Sequence, residues 1–173
     1  MPRHREPARL RGDPRSGRHS HMATFSWTLP VAGTGENPVR PDAGQVWEGL
    51  VHKSENPSPY VPAVTACRVL ERYDDGFLRE ITVRDTERVQ ERVTFEEHER
   101  VVFRPVDDPC IERIVNELGT DETGRPTLTL RVTLTPAGVE KAEQTRYFLH
   151  ETKRYFSDAL QFIVDGLVQR HTR

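Results

Sequence analysis

The chain has 173 residues, 25 Lys and Arg against 27 Asp and Glu, a formal net charge of −2 and two cysteines. That length suits one domain with a real core; two cysteines are too few for a disulfide framework, and the near balance of charge argues against a nucleic-acid-binding body. No apolar run approaches the roughly 18 residues of a membrane span, and no apolar segment follows the Arg-rich start as a secretory signal requires, so a cytoplasmic protein with no membrane partner is expected.

Residues 1–22 are mostly Arg, Pro, Gly and His with almost nothing to bury, and read as a disordered basic tail ahead of a single domain at 23–170. Six arginines against Glu6 and Asp13 put +4 on residues 1–21 and leave −6 on the remainder. The tail reads either as a leader before a start at Met22 or as a basic arm for an acidic partner.

Phe25, Trp27 and Leu29 alternate with Ser26 and Thr28, the pattern of a half-buried strand stopped by Pro30. After a Gly- and Pro-rich loop, Asp42 with Gln45 three residues on makes a capping box. Val46, Trp47, Leu50 and Val51 then form a short apolar helix face, ended at Asn56-Pro57. Pro57, Pro59 and Pro62 stiffen the next turn and hold Tyr60 and Val61 between them.

From Thr65 to Thr135 the period changes to two, with strands predicted at Ala66–Tyr73, Phe77–Arg84, Arg88–Glu96, Arg100–Val106, Ile111–Leu118 and Thr127–Thr135. The turns between them are short enough to demand antiparallel neighbours, so these strands form a meander. From about Val139 to Val168, Thr145, Phe148, Leu149, Thr152, Tyr155, Phe156, Ala159, Leu160, Ile163 and Leu167 recur at three and four. That spacing predicts one amphipathic helix of roughly 45 Å. The order of one strand, two short helices, six strands and a long helix is an α+β domain with the helix on one face of a bent sheet. A helix lying across a curved sheet leaves room for a ligand.

The hairpin Phe77–Glu96 carries the most chemical information. Register must put the apolar sets on one face; a three-residue loop at Asp85-Thr86-Glu87 pairs Val83 with Val89, Ile81 with Glu91, Arg79 with Val93 and Phe77 with Phe95. The inner face then reads Phe77, Arg79, Ile81, Val83, Val89, Glu91, Val93 and Phe95, with Arg79 and Glu91 as diagonal neighbours. Outside, Glu80 stands across from Arg92. Opposite charges facing a core cost several kcal/mol each in desolvation, so either a wet cavity, a polar ligand or a structural salt bridge accounts for them.

Trp47-Glu48-Gly49-Leu50, Lys53, Asn56-Pro57 and Tyr60-Val61-Pro62, followed by Leu78-Arg79-Glu80-Ile81-Thr82 and Glu91-Arg92-Val93-Thr94, resemble the signature of the AtaL-like group. That group lies in the START/SRPBCC superfamily, which shares the birch-pollen-allergen, or helix-grip, fold. The resemblance spans about Thr24 to Val168. It implies a seven-stranded curved antiparallel sheet gripping the C-terminal helix around a deep hydrophobic cavity. Wider relatives include aromatic polyketide cyclases and aromatases as well as lipid and metabolite binders, and the group looks like accessory members of natural-product pathways.

Two functions stay open. One is a cofactor-free cyclase, aromatase or dehydratase acting on an aromatic or polyketide-like molecule. In it Arg79 stabilises oxyanion charge and Glu91 moves a proton, while Tyr60, Asn116, Trp47, Tyr155 and Phe95 contact the ligand. The other is a carrier or sensor of the same kind of hydrophobic metabolite. His52, His98, His150 and His171 have no ligand spacing, and Gly33-Thr34-Gly35 is no dinucleotide loop, so no metal and no cofactor are expected. The oligomeric state is open, a homodimer included.

Overall fold

The computed structural model describes residues 21–144 and 148–172, with the side chains of 148–153 left aside. Its elements are β1 (Ala23–Pro30), α1 (Ala43–Glu55), β2 (Val64–Tyr73), β3 (Gly76–Val83), β4 (Glu87–Glu96), β5 (Arg100–Pro105), β6 (Ile111–Thr120), β7 (Pro126–Leu134), α2 (Pro136–Gln144) and α3 (Phe148–Gln169). The seven strands form one antiparallel sheet in the order β1-β7-β6-β5-β4-β3-β2. The meander therefore runs as expected, and the first strand closes onto the last. Register breaks between Val64 and Ala66, between Val69 and Glu71, and between Ile111 and Arg113 add local bend and twist.

Period-two sequence becomes rows across the inner face. Phe77, Val93, Phe103, Ile114, Val132 and Phe25 are successive strand partners in one row. Phe95, Val101, Asn116, Leu130 and Trp27 make the next. Val46, Trp47 and Leu50 of α1 and Leu160, Ile163, Val164 and Leu167 of α3 are buried in the same core.

The expected capping box starts α1, with Gln45 N donating to Asp42 Oδ1 at 2.8 Å and Asp42 N to Gln45 Oε1 at 2.9 Å. Only one helix separates β1 from β2 among the described residues, where two were expected. After α1 the chain makes turns instead, with Tyr60 N and Val61 N both donating to Pro57 O. Pro57, Pro59 and Pro62 lack the N–H groups that a second helix would use.

The C-terminal helix, expected as one run from about Val139, is described over Pro136–Gln144 and Phe148–Gln169, and residues 145–147 between them lie outside the described residues. Thr135 caps α2, its Oγ1 accepting from Gly138 N at 3.1 Å, with Pro136 at the first helical position, where its missing N–H costs nothing. Thr145 lies outside the described residues, as do nearly all of residues 1–22. Along α3 the polar positions Arg154, Asp158, Gln161, Asp165 and Gln169 are exposed. Tyr155 is not on the buried stripe: it is 58% exposed. The packed line runs through Phe156, Leu160, Ile163 and Leu167, and Phe156 stacks on Trp27 at 5.4 Å, so the residue before Phe156 is turned about 100° away.

At Gly138 a Cβ would overlap the carbonyl oxygen of Cys110. Gly138→Ala should therefore force α2 off the β5–β6 connection and cost about 1–3 kcal/mol, read as an earlier thermal unfolding midpoint than the wild type's.

Candidate functional site

The β3–β4 hairpin turns one residue earlier than its hydrophobic pattern suggests. Arg84 and Asp85 both take positive φ, 50° and 65°, and the loop is Arg84-Asp85-Thr86, with Val83 paired to Glu87. The register is two residues from the expected one, so the same side chains still face inward but their partners change. Arg79 stands directly opposite Glu91, Ile81 opposite Val89 and Phe77 opposite Val93. Outside, Glu80 faces Gln90 and bonds Arg68 at 3.3 Å, not Arg92.

Arg79 and Glu91 are 5% and 6% exposed. Arg79 Nη2 and Nε donate to a single carboxylate oxygen, Glu91 Oε1, at 2.7 and 3.1 Å. Arg79 Nη1 donates to the Ser54 carbonyl at 2.8 Å. The guanidinium thus takes one of the orphan carbonyls at the end of α1 and ties that helix to the sheet. A pair so far from water keeps its attraction only because the fork geometry and the extra carbonyl offset much of the desolvation.

Two more polar groups join them. Asn116 is buried, as its alternation with Ile114 and Leu118 suggests, and its Oδ1 accepts from Lys53 Nζ at 2.9 Å. Lys53 Nζ lies 4.5 Å from the Phe103 ring centroid, and the Arg79 guanidinium 4.8 Å from it. Burial, reinforced by the Arg79 charge and opposed by Glu91, brings the Lys53 amine down from 10.5 to about 7. Cys67 of β2 lies beside the same pair, and burial pushes its thiol up. Lys53 was not among the expected site residues. Its signal was present in α1, since Val46, Leu50 and Lys53 follow one another at four and three residues, which places a lysine on the apolar face.

The other expected residues do not gather with this cluster. Tyr60 is buried where α1 meets α3: its hydroxyl is 2.8 Å from His52 Nδ1, and its ring leaves no room for a Cβ at Gly166. Burial raises its phenol above the usual value, with Arg170 acting against the rise. Trp47 and Phe95 meet edge to face at 6.3 Å and border a hollow of about 420 Å³ with Phe77, Arg72 and Glu55. Tyr155 belongs to a different and larger cleft.

That cleft, about 860 Å³, lies between the sheet and the two last helices, bordered by Val89, Ile111, Leu134, Gly138, Tyr155 and Phe156 among others. Arg79, Glu91, Lys53 and Asn116 are not among its described lining residues. Val89 is, and Glu91 is the next inward-facing residue of β4, roughly 7 Å along the strand. Among the described residues no group of His, Cys, Asp and Glu has the arrangement of a metal site, and no helix is long and apolar enough to cross a membrane.

A curved antiparallel sheet closed over by a C-terminal helix, with a cleft between them, is the helix-grip architecture of the START and birch-pollen-allergen superfamily. The Zhui aromatase/cyclase from a Streptomyces species is similar at a TM-score of 0.63 and 17% identity, over 88% of this chain and 97% of that one. Ara h 8.0201 is similar at 0.57 and 14%, over 86% and 99%, and a START superfamily protein from Mycobacterium smegmatis at 0.52 and 15%, over 85% and 99%. No curated protein matches the chain in sequence. The family described as Acetylaranotin biosynthesis cluster protein L, AtaL, matches residues 25–167, and the chain belongs to it.

Proposed function

We propose that the protein binds a hydrophobic, aromatic or polyketide-like small molecule in the cleft beside Val89 and Phe156 and acts on it as a cofactor-free cyclase, aromatase or dehydratase. The observation that carries this reading is the convergence of Lys53, Arg79, Glu91 and Asn116 on the inner face, one strand step beyond Val89 of the cleft lining. A flexible chain lying along the cleft with its polar end among these groups is held in one reactive fold, and orientation of that kind can lower a barrier by several kcal/mol. Arg79 stabilises charge developing on a carbonyl oxygen, and Glu91, whose Oε2 takes no part in the described Arg79 bonds, moves a proton between carbon and oxygen. The structural neighbour named an aromatase/cyclase lends the reading support through shared architecture alone.

The rival is a carrier or sensor of the same kind of molecule, and it draws on the separation of the polar cluster from the cleft lining. Val89→Trp adds bulk to the cleft lining and is expected to weaken binding of an aromatic probe such as 2-methoxynaphthalene by about tenfold or more, measured by titration of tryptophan emission. Unchanged affinity would place the ligand elsewhere. Native mass spectrometry of protein taken from its source then separates the two readings: a product differing in mass from the supplied precursor marks an enzyme, and an unaltered ligand a carrier.

A further inference from the structure

We infer that Lys53 Nζ accepts the hydroxyl proton of ligands bound at this site, and that these ligands are weak oxygen acids, enols or phenols, held as anions between Lys53 and Arg79. The inference rests on the cleft reading above and adds the chemical class of ligand to it. Its basis is a charge count among the described residues. Two cations, Lys53 and Arg79, lie against the Phe103 ring. One carboxylate, Glu91, is present, and the oxygen of it that bonds Arg79 takes both nitrogens of that fork. The bond that Lys53 makes goes to a neutral amide oxygen. A protonated Lys53, only 5% exposed, thus has no counterion in direct contact, and the ring offsets part of that charge at most.

An acidic hydroxyl supplies what is missing. Its O–H bond breaks, the Nζ lone pair takes the proton, and an enolate or phenolate oxygen remains facing the new ammonium and the guanidinium. The total charge of site and ligand is unchanged. The amine is suited to this because its titration near 7 leaves a large free-base fraction at neutral pH. The anion so formed offsets the burial that chiefly keeps the amine a weak base, and with it the smaller repulsion from Arg79.

The groups around Lys53 leave it this role. Arg79 of β3 lowers its proton affinity and Glu91 of β4 raises it, while β5 and β6 present Phe103 and Asn116. Cys67 of β2 faces the Arg79–Glu91 pair. On α1, His52 is engaged with Tyr60 and Glu55 with Arg72, and the buried face of α3 is apolar.

The test compares 2-naphthol with its methyl ether, 2-methoxynaphthalene, on the full chain at about pH 7.5, where a phenol of ordinary acidity is un-ionised in water. Bound 2-naphthol is expected to show the naphtholate absorption band and to bind about tenfold tighter than the ether. Lys53→Met is expected to lose both the band and the preference while still binding the ether. A wild-type spectrum that stays neutral, or a naphtholate band that survives in Lys53→Met, overturns the inference and leaves the cleft reading intact as long as the ether binds. Failure of both probes to bind removes the two together. The wild-type spectrum decides the matter by itself should Lys53→Met not fold.

Discussion

Arg79→Met is expected to lose about 3–5 kcal/mol of folding free energy, the largest single loss predicted for this chain, while Arg79→Met combined with Glu91→Leu loses far less. The single change leaves a carboxylate that is 6% exposed with neither of its guanidinium bonds, so its full desolvation cost is felt. It also frees the Ser54 carbonyl at the end of α1, and an unpaired buried carbonyl costs about 1–3 kcal/mol. Removing both charges erases the first cost and keeps the second, because apolar side chains fit between Phe77, Val93 and Phe103 without needing partners. Urea titration with linear extrapolation measures all three proteins on one scale. Equal losses in the single and double variants would mean that Glu91 reaches water or another partner once Arg79 is gone.

Stability is expected to rise with pH above neutrality, by up to about 1 kcal/mol per pH unit, and Lys53 is the cause. Below about 7 both folded and unfolded chains hold the Lys53 proton, and the folded state carries the whole cost of burying a second cation beside Arg79. As pH passes about 7 the folded amine sheds its proton, whereas the unfolded lysine keeps it up to its ordinary 10.5. The unfolded chain then binds more protons than the folded one, which is the condition for stability to increase with pH. Cys67 and Tyr60 act in the other direction at higher pH, since burial raises both above their ordinary values and the folded chain holds their protons longer. Urea midpoints between about pH 7 and 8.5 therefore isolate the lysine, and Lys53→Met should flatten the slope. A slope that persisted in that variant would assign the effect to another group.

The elements were legible because each depends on near neighbours in the chain. Alternation at Phe25, Trp27 and Leu29, the Asp42–Gln45 box and the turns between meander strands needed no partner to be read, and the strands lie within a few residues of their expected bounds. Parity along β3 and β4 was legible too: it turns Arg79 and Glu91 inward in either register. Which residue faces which was not, because two consecutive residues at positive φ, Arg84 and Asp85, start the three-residue loop one position early without a glycine or asparagine to announce it. Tyr155 was misplaced for a similar reason, since helical spacing leaves adjacent aromatics equivalent until a neighbour such as Trp27 selects Phe156.

What the sequence determined alone is the class: local periods and turn chemistry dictate seven strands and an amphipathic C-terminal end, and the quoted motifs dictate the family. What only the tertiary structure decided is the company each polar residue keeps. Lys53 meets Asn116 63 residues away, Arg79 reaches back 25 residues to Ser54, and Tyr60 turns to His52 instead of the cleft. The energy of a buried charge depends on the dielectric and the partners that folding assembles around it, and no pattern within a single segment contains either.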